Sequence, residues 1–254
     1  MIINFLIIIQ GYMIDNQKIP KIIHYCWFGG KEKPEQVKKC IESWKKYLSD
    51  YQFMEWNEQN FDVNQFQYTK DAYAAKKYAF VSDVARVKAL LEYGGIYFDT
   101  DVEVFKNFDD ILDARCLLGF EEGNYVATSM MGAIPEYPLF QKFYDLYKII
   151  PFYDENGKII EGTNVSKLTE LLEEYSLQRN NCYQELKDGM KIYPKEYFSP
   201  YVYTYCVYQI TDKSYCVHHF YVSWLPWHVK IKKKIKKRLV KIIGLENAKT
   251  ILRH

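Results

Sequence analysis

A chain of 254 residues in which 34 Lys and Arg face 32 Asp and Glu carries a formal charge of only +2, which excludes the overall basicity of a nucleic-acid-coating protein and suits one α/β domain with a sizeable core. The six cysteines (Cys26, Cys40, Cys116, Cys182, Cys206 and Cys216) form no C-x-x-C pair and no Cys/His grouping, which excludes a zinc-finger scaffold and reads as reduced thiols in the cytoplasm. The 24 tyrosines suit sugar-stacking surfaces, but AT-rich coding gives the same bias, so they decide nothing.

Residues 1–9 are almost wholly apolar, yet the run is far shorter than the roughly 20 residues a membrane-spanning helix needs, and no basic stretch precedes it. A start at Met13 fits better, because Asp15-Asn16-Gln17-Lys18 leads directly into the first strand; residues 1–14 are expected to lie upstream of the true start. Pro20 introduces the β-prone run 21–28, which stops at Gly29-Gly30 as a buried strand and a turn. Pro34 sits at a first helical position, and Val37, Ile41, Trp44 and Leu48 follow at helical spacing. Residues 51–56 read as a second strand, 57–70 as a polar stretch without a strong period, and 72–78 as a second helix.

A third helix is expected over 83–93, with Val84, Val87 and Leu91 on its apolar face, Ser82 as N-cap and Gly94-Gly95 at its end, where a left-handed residue is wanted. Asp83 and Arg86, three apart, are neighbours on that helix. The short strand Ile96-Tyr97-Phe98 then ends on Asp99-Thr100-Asp101. Strand residues two apart share a side, so Asp99 and Asp101 are expected to converge on one ligand. Alternating strands and helices predict a largely parallel sheet whose ligands bind beyond the carboxyl ends of its strands, where Trp27 and Asp101 both fall. Further on, 138–147 and 166–175 read as helices, 190–193 and 214–220 as strands, and 194–208 as an aromatic segment broken by Pro200; this half is expected to face the acceptor.

The chain closes on a basic tail. Lys230, Lys232, Lys233, Lys234, Lys236, Lys237, Arg238 and Lys241 are interleaved with Ile231, Ile235, Leu239 and Ile242 at four-, four- and three-residue steps. That is a basic amphipathic helix, expected over 229–254 behind a domain over 1–228. Its apolar stripe suits the headgroup boundary and its lysines an anionic membrane surface, each worth about 1 kcal/mol. A helix packed on the body with a solvated lysine face is the competing reading, and nucleic-acid binding a weaker third.

Several motifs resemble glycosyltransferase family 32, which carries a D-x-D sugar-binding region and includes fungal Golgi mannosyltransferases and bacterial capsule enzymes; the glucosylating clostridial toxins are similar at the same places. The matching residues are Ile19-Pro20-Lys21-Ile22-Ile23-His24-Tyr25-Cys26-Trp27-Phe28-Gly29-Gly30, then Ser82-Asp83 with Arg86, Leu90, Tyr93-Gly94-Gly95-Ile96-Tyr97 and Asp99-Thr100-Asp101, and finally His218 with Ser223-Trp224. A lone D-x-D carries almost no signal, whereas S-D-x-x-R joined to G-G-x-Y-x-D-x-D is specific. Gly162-Thr163-Asn164-Val165 departs from the Thr-Gly-Pro that many members carry, which leaves the sugar-pocket loop undefined.

The resemblance implies a GT-A fold, a Rossmann-like sheet binding a nucleotide-sugar (UDP- or GDP-) and a divalent cation, Mn2+ or Mg2+. It makes Asp101 the direct metal ligand, with Asp99 on ribose or sugar hydroxyls and reaching the metal directly or through water. It places Asp83 on ribose or sugar hydroxyls, Arg86 on the donor sugar or its phosphate, Tyr97 beside the donor and Trp27 against the nucleobase. His218, with Ser223 and Trp224, would complete the metal or diphosphate site; His24, His219, His228 and His254 are not nominated. Members retain anomeric configuration, and the leaving phosphate itself can take the acceptor's proton, so no general base is implied.

The expectation is a metal-dependent retaining glycosyltransferase at the cytoplasmic face of the membrane, building capsular or other surface polysaccharide on a glycan or lipid-linked oligosaccharide. Three plainer readings stand beside it: a solvated Asp99/Asp101 pair, a surface ion pair of Asp83 and Arg86, and Trp27 as ordinary core. A haloacid-dehalogenase-type phosphatase also places D-x-D at a strand end, but its motif continues D-x-D-x-T, and Glu103 stands at that place. A non-catalytic glycan-binding or membrane-recruitment module is the third class.

Overall fold

The computed structural model describes residues 18–160 and 163–221, and beyond them only positions 231, 236, 238, 240, 242–244, 247 and 248. In chain order the elements are β1 (Ile22–Cys26), α1 (Glu35–Tyr47), β2 (Gln52–Trp56), α2 (Gln67–Ala74), α3 (Tyr78–Tyr93), β3 (Gly95–Phe98), β4 (Val102–Val104), β5 (Cys116–Gly119) and β6 (Met130–Ala133). They continue with α4 (Pro138–Ile149), α5 (Asn164–Glu173), β7 (Gln184–Leu186), β8 (Met190–Tyr193), α6 (Lys195–Phe198), β9 (Tyr201–Val202), β10 (Val207–Tyr208) and β11 (Cys216–His218).

Seven strands form the central sheet in the order β2-β1-β3-β6-β5-β8-β7. The fold is α/β and the sheet parallel-rich as expected, with two strands, β6 and β7, set against the other five. β2, β1 and β3 run parallel, β6 lies antiparallel between β3 and β5, β5 and β8 are parallel, and β7 returns antiparallel. The cause is the connection after β5: a tight turn closed by the Phe120–Val126 bridge sends the chain straight back as β6, and so short a link joins only antiparallel neighbours. β1, β3, β5 and β8 still point the same way, so their carboxyl ends share one edge.

Outside this sheet, β4 pairs antiparallel with β11 and β9 with β10. One buried cluster fills the space between sheet and helices. Trp44, fully buried on α1, donates its indole N–H to the Val102 carbonyl at 2.7 Å and so pins the helix to β4.

Two helix boundaries differ from the sequence expectation. The second helix is α2, ending at Ala74, and the third begins at Tyr78, so Ser82 lies inside α3 and is not its N-cap. Its hydroxyl donates to the Tyr78 carbonyl at 3.0 Å, a back-bond within the helix that removes it from capping. The end of α3 is as expected: Gly94 and Gly95 have φ of 63° and 92°, and a Cβ on Gly95 would stand 2.5 Å from the Ile22 carbonyl oxygen. His24 on β1 tightens the same corner, its Nε2 lying 2.8 Å from the Gly94 carbonyl and its Nδ1 accepting the Trp56 indole N–H at 3.1 Å.

The expected tail helix lies mostly outside the described residues. Positions 231, 236, 238, 240, 242, 243, 247 and 248 are helical, and Gly244 interrupts them at φ 81°. No helix among the described residues is long and apolar enough to cross a membrane.

Candidate active site

The D-x-D lies at the joint between two sheets. β3 stops at Phe98, the Val102 N–H closes a turn on the Asp99 carbonyl at 3.0 Å, and β4 begins. Asp99 and Asp101 therefore converge through a turn and not through strand alternation. Register supplies the third member: His218 on β11 pairs with Val102 on β4, which sets its Nε2 3.1 Å from Oδ1 of Asp101. One ligand atom from each of Asp99, Asp101 and His218 lies within 4.8 Å of the others.

The adjacent histidines take opposite faces. His219 points away from the cluster, its ring nitrogens 2.8 Å from the Tyr208 hydroxyl and 2.9 Å from Glu103. Its backbone N–H still donates to the Asp101 carbonyl, and the Tyr221 N–H donates to Asp101 Oδ2 at 2.8 Å. The end of β11 thus straps Asp101 from several directions.

Burial opposes charge on Asp101, but His218 and the Tyr221 N–H outweigh it and hold the carboxyl down, to about 2. Burial likewise opposes charge on His218, and Asp101 ahead of Asp99 and Glu121 overcomes it, raising the imidazole to about 9. Nδ1 of His218 is buried with no hydrogen-bond partner. Two carboxylates and the His218 imidazole, once it has given up its proton, supply oxygen and nitrogen donors that fit a divalent ion of the Mg2+ or Mn2+ type.

Behind this cluster Arg86 is 5% exposed. Its guanidinium lies 3.1 Å from Asp83 and 3.2 Å from Asp99, donates to the Ser82 and Thr128 carbonyls, and sits 4.7 Å over the Tyr97 ring. Tyr97 is fully buried and donates its hydroxyl to Asp99 at 2.8 Å. Both residues were expected to touch the donor; in the structure their polar groups engage Asp83, Asp99 and the Ser82 and Thr128 carbonyls. Asp83 and Arg86 are a buried pair, so the surface-pair reading is excluded. Burial pushes the Asp83 carboxyl up, to about 7, against the pull of Arg86.

Trp27, just beyond β1 on the same edge, is half-buried, donates its indole N–H to the Lys31 carbonyl at 2.6 Å and has the Lys33 ammonium 5.7 Å over its ring. Ser223 and Trp224 lie outside the described residues.

Two neighbours escaped the sequence reading. Asn164, first residue of α5, donates its amide to Asp83 at 2.6 Å; the departure from Thr-Gly-Pro at 162–165 hid it, and Thr163 there is an N-cap, accepting from the Ser166 N–H. Glu121 follows β5 on the carboxyl edge, close enough to feel both His218 and Asp99, and burial pushes its carboxyl up, to about 7. The apolar run before it, Cys116-Leu117-Leu118-Gly119-Phe120, was the available signal.

Residues 34–118 match the family described as the glycosyltransferase sugar-binding region containing the DXD motif. A protein of Acanthamoeba polyphaga mimivirus described as the uncharacterized glycosyltransferase L373 is 27% identical over 225 residues, 85% of this chain and 87% of that protein. Among solved structures, PaToxG glycosyltransferase is similar at a TM-score of 0.48 and 20% identity over 66% of this chain and 75% of that one. A glycosyltransferase involved in glycosylation of the major capsid of PBCV-1 gives 0.46 at 13% identity over 79% and 94%. The galactosyltransferase LgtC, in complex with donor and acceptor sugar analogs, gives 0.39 at 13% over 88% and 95%. These structural likenesses are loose. The strap-held D-x-D falls inside the matched region, and the chain, carrying over residues 34–118 the sugar-binding region of the DXD glycosyltransferases, is a glycosyltransferase.

Proposed function

We propose that this glycosyltransferase moves a sugar from a UDP- or GDP-sugar to a hydroxyl of a glycan or lipid-linked acceptor, with retention at the anomeric carbon and in the service of surface polysaccharide. The observation that carries the reading is the meeting of Asp99, Asp101 and His218 at the carboxyl edge of the sheet, where open α/β sheets bind ligands. Asp101 and His218 would hold a divalent Mn2+ or Mg2+, with Asp99 beside them. When bound, such a cation neutralises the negative charge that grows on the leaving diphosphate.

The remaining residues hold and orient. Trp27 offers an aromatic surface to the base, which suits purine and pyrimidine alike. Arg86 and Tyr97 fix Asp99 and Asp83, and Asp83 with Asn164 borders the sugar pocket.

The tail supports docking on the cytoplasmic face of an anionic membrane. Val240 is 2% exposed, whereas Ile231 and Ile242, both on the expected apolar stripe, are 48% and 81% exposed. Covered Val240 and outward Ile231 and Ile242 at these described positions suit a peripheral attachment over 229–254 behind a catalytic domain over 1–228.

A thermal-shift screen of UDP-glucose, UDP-galactose, UDP-N-acetylglucosamine and GDP-mannose, each with MnCl2, tests the reading. A donor raises the melting temperature by mass action, by about 2.7 kcal/mol of stability at a hundredfold excess over its dissociation constant. The reading fails if no nucleotide-sugar shifts the melting temperature in the presence of manganese.

A further inference from the structure

The chain leaves β11 as His218-His219-Phe220-Tyr221, and each histidine meets the ring two residues on. The Phe220 ring lies 3.9 Å from that of His218, tilted by 33°, and the Tyr221 ring is stacked on His219 at 4.8 Å and 10°. Only the first pair belongs to the cluster with Asp99 and Asp101. The second faces away and has no part in the transfer proposed above.

Both nitrogens of the His219 ring are nevertheless committed. Nε2 donates to Glu103 at 2.9 Å, since a carboxylate only accepts, and Nδ1 meets the Tyr208 hydroxyl at 2.8 Å. The Tyr208 ring also stands edge-on to it, at 5.4 Å and 82°. Anchors on β4 and β10 therefore fix the His219 ring, and the ring fixes the Tyr221 ring stacked on it.

The backbone between the two is sharply bent. Phe220 has a φ of 51°, a left-handed conformation that a bulky residue rarely adopts and that its surroundings have to hold in place. The bend folds Tyr221 back over His219 and aims its N–H at Oδ2 of Asp101, 2.8 Å away. Oδ1 of the same carboxylate faces His218 at 3.1 Å. One oxygen of Asp101 is thus taken by the strap, and the other is turned to the cluster. Without the strap the carboxylate is free to rotate.

We propose that His219 is a positioning residue for the cation site: anchored by Glu103 and Tyr208, it keeps the bend at Phe220 closed, so that the Tyr221 N–H sets the Asp101 carboxylate for a divalent ion. The inference rests on the metal-dependent transfer proposed above. His219 acts through Tyr221 and Asp101, its own ring nitrogens being bound to Glu103 and Tyr208.

The test titrates the full chain with MnCl2 alone and reads free Mn2+ by electron paramagnetic resonance. His219→Ala is expected to weaken manganese binding by about 10- to 100-fold, the usual effect of removing a group that orients a metal ligand. Glu103, 43% exposed, is altered with less risk to the fold. Glu103→Ala should weaken binding in the same way, whereas Glu103→Gln, whose amide oxygen still accepts from Nε2, should bind as the wild type does. Combining His219→Ala with Glu103→Ala should cost no more than His219→Ala alone, because both act through one ring. Circular dichroism should stay native throughout.

Wild-type affinity in His219→Ala overturns the assignment. So does a Glu103→Gln as weak as Glu103→Ala, which would make the charge responsible and not the hydrogen bond, and so do additive losses in the double variant. Asp101→Asn separates this inference from the reading beneath it. Undiminished affinity in that variant, or none in the wild type, removes the metal centre and this inference with it; affinity lost there but intact in His219→Ala removes only the role of His219.

Discussion

His218 and Asp101, far apart in the chain, are brought to 3.1 Å by the antiparallel register of β11 on β4. Asp101 is held down to about 2 and His218 raised to about 9 because each stabilises the other's charge against burial, which favours an ion pair when no cation is bound. A divalent cation held there would compete with this ion pair for both side chains.

Replacing the acidic partner tests this centre with little change of shape. Asp101→Asn keeps the volume and an oxygen for the Tyr221 N–H but removes the charge. A cation that neutralises the leaving group is worth several kcal/mol, and 1.36 kcal/mol is tenfold in rate. Transfer should fall about a hundredfold or more and the manganese-dependent thermal shift should vanish, while circular dichroism stays native. Unchanged turnover would remove Asp101 from the metal site.

Arg86 is the post behind the site, and its loss is expected to act on stability before chemistry. Arg86→Ala leaves Asp83 and Asp99 facing each other without their shared counter-charge, and breaking one side of a buried pair costs about 3–5 kcal/mol. Arg86→Lys restores charge but not the fork that reaches Asp83, Asp99 and the Thr128 carbonyl together. Urea denaturation should rank wild type above Lys above Ala; an Ala variant as stable as the wild type would show the network to be energetically idle.

Gly95→Ala asks for a left-handed φ of 92° and drives a methyl against the Ile22 carbonyl on β1. A destabilisation of at least about 2 kcal/mol is expected. Gly30→Ala is the control: its φ is 64° but nothing stands within 4 Å, so only the left-handed strain remains, about 1–2 kcal/mol. Equal melting temperatures for the two variants would mean that the close approach of β3 to β1 is not what demands glycine.

His24 predicts an acid weakness. Burial holds it neutral, lowering it to about 4 from an ordinary 6.5. Below pH 6.5 the unfolded chain takes a proton that the folded chain refuses, so this contribution to stability falls between pH 6.5 and 4, by roughly 3 kcal/mol in full. His24→Gln should be weaker at pH 7 yet lose less on acidification to pH 4.5. Parallel pH profiles of unfolding free energy for the two proteins would contradict it.

Trimming the chain after Trp227 removes the basic tail. Co-sedimentation with phosphatidylserine-containing liposomes should drop to the level seen with neutral lipid, and raised salt should mimic the truncation for the full chain. Equal recovery of both forms on anionic vesicles would dismiss the membrane attachment.

What the residues alone determined lies within a turn or two of chain. Pro138 opens its helix, the strand over 190–193 and the stop at Gly94-Gly95 fall where expected, and the aspartates lie beyond a buried strand, because period and backbone stereochemistry are properties of neighbouring residues. The start of α3 was misread for a related reason: a serine before an apolar run caps a helix or back-bonds inside one, and packing of the preceding turn chose the latter. Only the tertiary structure decided that β6 slips between β3 and β5, that Arg86 and Tyr97 hold Asp99 from within the protein, and that no hydrogen bond or ion pair among the described residues reaches the Glu121 side chain. Above all it set His218, which the resemblance had named, on the face of Asp101 and turned His219 away, since a shift of register by one residue would exchange them, and register is set by strands that meet only once the chain has folded.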